Sequence, residues 1–231
     1  MNTHPASTRV CALCATPCPP RFRPPPPEIS PDLDMRPGEP TRSTLQHWVQ
    51  TCAGCGAVAA DLSQLPPDAV EIVESEAYLD LYARPETATP FLRFAMICRD
   101  GDRAGALLQA AWAADDAADD EAARHYRKEA AACWGEPDGI ESALRLIDIL
   151  RRAGLLKAAE ECCGVIAGDM MDERSAAILG FQRARIAEAD TSRHMMSSAL
   201  RPPARMPHAA HGQRKADKPG FLSRIFGGQK R

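Results

Sequence analysis

Two segments near the amino-terminal end decide the fold, "CALCATPCPP" (Cys11–Pro20) and "CAGCGAVAAD" (Cys52–Asp61), and each carries Cys-x-x-Cys. Such a turn folds back on itself and offers two thiolates at one bite, so two turns complete a tetrahedral shell around zinc. The predicted ligands are Cys11, Cys14, Cys52 and Cys55. Thirty-seven residues separate the pairs, room for the small hairpin of a zinc ribbon. Gly54 and Gly56 flank Cys55, where tight or left-handed backbone is needed. Cys18 offers a second bite with Cys14, but pairing Cys11 with Cys14 makes the two turns match. His47 is a candidate substitute ligand, but a lone histidine on a strand is more often structural. A redox Cys-x-x-Cys needs a strand–helix setting, and neither pair precedes a convincing helix. A closed four-thiolate shell leaves no position for substrate water, so the zinc is structural. It carries a formal charge of −2, and Arg9, Arg21 and Arg42 are the cations available to offset it.

The 231-residue chain has nine cysteines, no apolar run of membrane-spanning length and no signal-like apolar start. These point to the cytoplasm, where thiols stay reduced and paired cysteines serve as ligands rather than disulfides. Twenty prolines cluster mainly in 17–40 and 202–207, so the core belongs to the middle of the chain. That middle is rich in alanine and poor in aromatics, which favours helix. The expected fold is mainly α. Residues 1–10 read as a disordered start, 11–62 as a zinc-ribbon-like β unit, 67–200 as helical hairpins and 201–231 as a disordered basic tail.

Within the first unit, "STLQHWVQTC" (Ser43–Cys52) is the strand candidate, with Leu45, His47 and Val49 on one side and Trp48 on the other. From Pro67 the period becomes helical. One helix is predicted from Asp68 as cap through "PDAVEIVESEAYLDLYA". The next runs from Thr89 as cap and Pro90 to a stop at Gly101. Further helices are expected over roughly 103–117, 119–134, 139–152, 155–167 and 173–190, with stops at Gly135, Gly154 and Gly168. Gly101 to Gly135 is 34 residues and Gly135 to Gly168 is 33. Two helices fill each span. Ala104, Leu107, Leu108 and Ala111 correspond to Ile140, Ala143, Leu144 and Ile147. Ala123, Tyr126, Ala130 and Cys133 correspond to Leu156, Ala159, Cys163 and Ile166. A period near 34 built from helical hairpins is tetratricopeptide-like.

Between the cysteine pairs lies "SPDLDMRPGEPTRST" (Ser30–Thr44), with charges of alternating sign. It reads as a solvated, internally paired loop or as a recognition loop. Taken together, "CALC", "PDLDMRPGEPTRST" and "HWVQTCAGCGAVA" resemble a bacterial family of unknown function that joins two zinc knuckles to a tetratricopeptide-like domain. The resemblance spans about Cys11–Leu200 and implies the zinc role for Cys11, Cys14, Cys52 and Cys55. Ala12 and Ala53 replace the proline of the family's Cys-Pro-x-Cys-Gly knuckle, and Ala15 replaces the first glycine. The family implies no reaction.

The acidic "DDAADDEAARHY" lacks EF-hand spacing and reads as a capped helix–helix turn. Cys98, Cys133, Cys162 and Cys163 read as core thiols, and Trp112, Tyr126 and Trp134 as seam residues. No phosphate loop, Ser-His-Asp order or paired-carboxylate motif stands out. The expected function is a non-enzymatic zinc-binding scaffold whose helical face holds a protein or peptide. From Thr191 onward nine Lys/Arg face one acid, so an alternative is a nucleic-acid-associated zinc-ribbon protein that uses the ribbon and the basic tail, the tail also offering weak contact to nucleic acid or an anionic membrane. A zinc–thiolate redox switch is another.

Overall fold

An alanine-rich sequence lets helix backbones approach closely, and the helix around which this fold is built shows it. In the computed structural model, which describes residues 9–84, 86–166 and 171–200, that helix is α4 (Asp100–Asp116). Its Ala106, Leu108, Ala110, Ala111, Trp112 and Ala113 are all buried. A helix apolar on every side belongs inside. It packs between α3 (Thr89–Ile97) and α5 (Asp120–Ala132). Upstream stand α1 (Ala69–Val73) and α2 (Glu76–Tyr82). Downstream come α6 (Ile140–Arg152), α7 (Leu156–Val165), α8 (Glu173–Ala187) and the short α9 (Met196–Ala199). The strands β1 (Gln50–Thr51) and β2 (Val58–Ala59) form an antiparallel pair with Gln50 opposite Ala59 and Thr51 opposite Val58. The protein is therefore mainly α, with a small β unit carrying the cysteines. Among the described residues no helix is long and apolar enough to cross a membrane.

The sixteen positions matched across the two spans are all buried or half-buried. α4 packs on α5 and α6 on α7, each pair joined by a short turn, and α5 against α6 links the pairs. Gly135 and Gly154 take positive φ just beyond α5 and α6, as stops should. Gly101 is no stop, because α3 ends at Ile97 and α4 has already begun at Asp100. Gly168, the first eight residues and the basic tail lie outside the described residues.

Two other expectations fail for local reasons. The strand predicted over Ser43–Cys52 is a 3-10 helix at Arg42–His47, followed by only two strand residues. Short polar side chains bond the neighbouring chain there and compete with a ladder. The Thr44 hydroxyl donates to the Thr41 carbonyl (2.6 Å), the Ser43 N–H to the Glu39 carboxylate (3.1 Å) and the Trp48 indole to the Thr44 hydroxyl (3.0 Å). Leu45 and Val49 are buried while His47 between them is exposed, so the three do not share one strand face. The single helix predicted from Asp68 is two, because Ser75 caps the second by accepting from the Tyr78 N–H. Asp68 makes no capping bond and instead pairs with Arg99 at 2.9 Å.

The largest departure is Ser30–Thr44. It is internally paired, as one reading expected, but its centre is buried rather than solvated. Asp32, Leu33, Asp34 and Arg36 are buried, and the segment threads between α4, α5, α6 and the chain leading into α9. Asp34 is the hub. Its Oδ2 accepts from Arg152 Nη1 (2.9 Å), Arg127 Nη2 (3.3 Å) and the Trp112 indole (3.0 Å), and its Oδ1 from the Arg36 N–H (3.2 Å). Arg127 and Arg152 are tied again by Asp115 Oδ2, at 2.6 and 2.9 Å. Arg36 reaches the Trp112 carbonyl (3.2 Å) and Asp116 (2.5 Å), and Arg42 pairs with Asp32. On the far side the Leu33 N–H donates to the His194 carbonyl (3.0 Å) and the Met196 N–H to the Pro31 carbonyl (2.8 Å).

Burial by itself would push the Asp34 carboxyl up, but Arg152, Arg127 and the Trp112 indole more than reverse this and hold it below the usual carboxylate range. Asp32 goes the other way, since burial outweighs Arg42. A depressed carboxylate stabilises the fold above its unfolded pKa of about 3.9, and that contribution is lost as pH falls through the folded value. Asp34→Ala leaves buried guanidiniums short of a partner and should cost about 3–5 kcal/mol in urea unfolding. The gap in stability between wild type and Asp34→Asn should be constant near neutral pH and shrink below about pH 4.

Candidate metal centre

The two cysteine turns repeat one another bond for bond. The Cys11 N–H donates to the Thr16 carbonyl and the Cys52 N–H to the Ala57 carbonyl, both at 2.8 Å. The Ala15 N–H reaches the Cys11 carbonyl and the Gly56 N–H the Cys52 carbonyl, both at 2.9 Å. The bridge of Val10 with Pro17 mirrors the pairing of Thr51 with Val58. Each turn needs left-handed backbone just after its second cysteine. Gly56 provides it at φ +75°, whereas Ala15 adopts φ +58° against the clash of its own Cβ. Gly54 answers a different demand, close approach, because a Cβ there would lie 2.1 Å from Thr16 Oγ1 and 3.1 Å from Cys14 Sγ.

The turns face each other and bring the four sulfurs of Cys11, Cys14, Cys52 and Cys55 within 4.8 Å of one another. Cys14 Sγ lies 3.5 Å from Cys52 Sγ, and Cys11 Sγ lies 3.8 Å from Cys55 Sγ. A disulfide would require about 2.05 Å. Tetrahedral metal–sulfur bonds of about 2.3 Å place sulfurs about 3.8 Å apart. The donor set therefore fits one tetrahedral ion. Cys11 and Cys52 are buried and Cys14 is exposed, so the cluster sits at the surface with its inner edge in the core. The Thr16 hydroxyl, 3.3 Å from Cys14 Sγ, leads in pulling that thiol down to about 6. Burial pushes Cys55 up to about 12. Metal binding must therefore displace protons from the cluster.

The unit rests on the helices through an apolar patch that joins Cys11 and Cys52 to Leu62, Ala69, Tyr78 and Ile97. Arg93, buried on α3, is held between the rings of Tyr78 and Tyr82, 4.5 Å from each. It donates to the Gly56 carbonyl at 2.6 Å, next to Cys55. The Tyr78 hydroxyl accepts from the Val58 N–H at 2.9 Å. The expected charge-offsetting arginines are placed otherwise. Arg9 pairs with Asp61 (2.5 Å), Arg42 with Asp32, and Arg21 lines an open surface hollow with Phe22. Arg93 was missed because a lone arginine in a helix 38 residues past Cys55 leaves no trace in the cysteine spacing.

Cys18 stands outside the sulfur cluster, as does His47, whose ring packs on Phe22 at 5.4 Å. Cys163 is buried and Cys98, Cys133 and Cys162 are half-buried on or beside helices, as core thiols should be. Of the acidic run, Asp119 caps α5 by accepting from the Ala122 N–H (3.0 Å), while Asp115 and Asp116 belong to the network around Asp34.

Comparison of the chain with family models, with curated proteins and with solved structures found no match. The cysteine cluster is accordingly defined by its own geometry.

The knuckle asymmetry is testable. Ala15→Gly should stabilise the metal-loaded protein by about 0.5–1 kcal/mol, since left-handed alanine costs more than the chain entropy glycine adds. Gly54→Ala should weaken metal retention in a chelator-competition assay, because Thr16 must move away from Cys14.

Proposed function

We propose that the protein is a non-enzymatic zinc-binding scaffold, with a structural zinc ion on Cys11, Cys14, Cys52 and Cys55 and a helical surface for a protein or peptide. The observation that carries this reading is the pair of sulfur–sulfur edges, 3.5 and 3.8 Å, across two matched turns. Four thiolates at tetrahedral corners suit zinc, and a shell closed by protein leaves no coordination position for substrate. The ion supplies folding energy to a segment with only two-residue strands of its own.

The second half of the reading rests on the hairpins. α4 with α5 and α6 with α7 turn corresponding positions inward, as a tetratricopeptide-like array requires. The exposed faces of α5 and α7 are then available to a partner. The ribbon-like unit, packed on α1–α3, fixes the amino-terminal end of the array.

Elemental analysis should return one zinc and no iron per chain. Serine at any one of the four ligands should lower the metal content and loosen the chain around it, seen as faster proteolysis before Leu65. Cys18→Ser and His47→Ala should keep the full zinc. Affinity capture with zinc-loaded protein as bait should retain a protein partner that a chelated bait loses, and failure to retain any would count against the scaffold role.

A further inference from the structure

The threading of Ser30–Thr44 has a second consequence, a cavity of about 530 Å³ at the outer side of the ionic network. Six guanidiniums line it, those of Arg36, Arg42, Arg124, Arg127, Arg152 and Arg193. Three carboxylates share the wall, Asp115, Asp116 and Asp120. Behind it stand Asp32 and Asp34. Six arginines against five aspartates leave one positive charge in excess. Arg36, Arg127 and Arg152 are buried and locked by carboxylates. Arg42 gives one N–H to Asp32, which leaves the rest of its five donors. Among the described residues Arg124 forms only a backbone bond through Nε to Asp120 (3.1 Å), and the Arg193 guanidinium forms no ion pair.

The wall is also rigid. Arg193 rides on a turn held by Asp190, whose carboxylate accepts from the Ser192 N–H (2.8 Å) and bonds His194 Nε2 (2.8 Å). Arg151 fixes the Asp190 carbonyl. Thr191 and Ser192 line the rim, and the Ser192 hydroxyl bonds Asp190. The same His194 nitrogen faces both Asp190 and Ser192, so these three residues brace the turn and do not form a proton relay.

We propose that this cavity binds a small phosphorylated molecule of the sugar-phosphate class, its phosphate held by Arg42, Arg124 and Arg193. A phosphate monoester carries between one and two negative charges at neutral pH and three acceptor oxygens. Guanidinium forks match such a group in shape and charge. The volume suits a small metabolite. No aromatic ring lines the cavity to stack a base, so a nucleic acid strand is disfavoured. The site is separate from the sulfur cluster and does not depend on the metal's identity.

Calorimetric titration of the full, metal-loaded chain with ribose 5-phosphate, pyrophosphate and ribose is the test. Ribose 5-phosphate and pyrophosphate should bind, more weakly as salt rises, and ribose should not. Arg124→Gln combined with Arg193→Gln removes two exposed heads outside the buried network, so the fold should persist by circular dichroism. Affinity should fall at least about tenfold, the weight of one charge-assisted contact. Absence of ribose 5-phosphate binding, with or without binding of pyrophosphate, equal binding by ribose, or unchanged affinity in a folded double variant would overturn the proposal. So would binding of single-stranded RNA in place of the small phosphates.

Discussion

Asp34 is fully enclosed and held ionised, and a buried charge without partners is among the most expensive things a fold can contain. Its environment follows from that requirement. α4 brings the Trp112 indole, α5 brings Arg127 and α6 brings Arg152, while Arg145 of α6 donates to the Asp34 carbonyl at 3.0 Å. Three helices are thus fixed relative to one point on a segment that starts in the cysteine-bearing part of the chain. Asp115 shares two of the same arginines, so neither carboxylate nor guanidinium is left with a single partner. Apolar packing holds each helix pair together, but it tolerates sliding. A set of directed bonds to one carboxylate does not.

The loop is also what relates the two ends of the described chain. Its backbone pairs with 194–196 through Leu33 and Met196, and Leu33 enters the same apolar cluster as Leu144, Ile147, Ile178 and Ala199. The knuckles lie at its borders, at Cys11–Cys14 and Cys52–Cys55. Ligation of the two turns by one ion would close the 37-residue segment between them and restrict where Ser30–Thr44 can reach. Arg93, bonded to the carbonyl after Cys55 and clasped by two tyrosines, ties the second knuckle to α2 and α3. Cysteine cluster and helical array therefore share a framework, and the described residues form one compact unit.

A charge network of this density has a functional side as well. Buried arginines anchored by aspartates cannot move to meet a ligand, but they set the shape and potential of the surface in front of them. Arg42, Arg124 and Arg193 stand on that surface with donors to offer. The scaffold reading and the phosphate-site reading draw on different parts of the molecule, the first on the sulfurs and the outward helix faces, the second on the cavity beside the buried loop.

The chain by itself determined the elements whose causes are local. Cys-x-x-Cys spacing gave the four sulfurs, since a turn's bite is a property of four consecutive residues. The 34-residue period gave the hairpin positions, because inward-facing residues recur at a helical interval whatever they pack against. Glycine marked the ends of α5 and α6 through its access to positive φ, but Gly101 misled because α4 tolerates a glycine in its first turn. Ser43–Cys52 misled because side-chain bonds to neighbouring backbone outweighed a strand-like composition. Only the tertiary structure decided the fate of Asp32, Asp34 and Arg36. The helical partners of Asp34 and Arg36 lie 76 to 118 positions away, and alternating charges look the same in a solvated loop and in a buried network. Coulomb attraction depends on distance in space and on exclusion of water, and neither is written in the order of the residues.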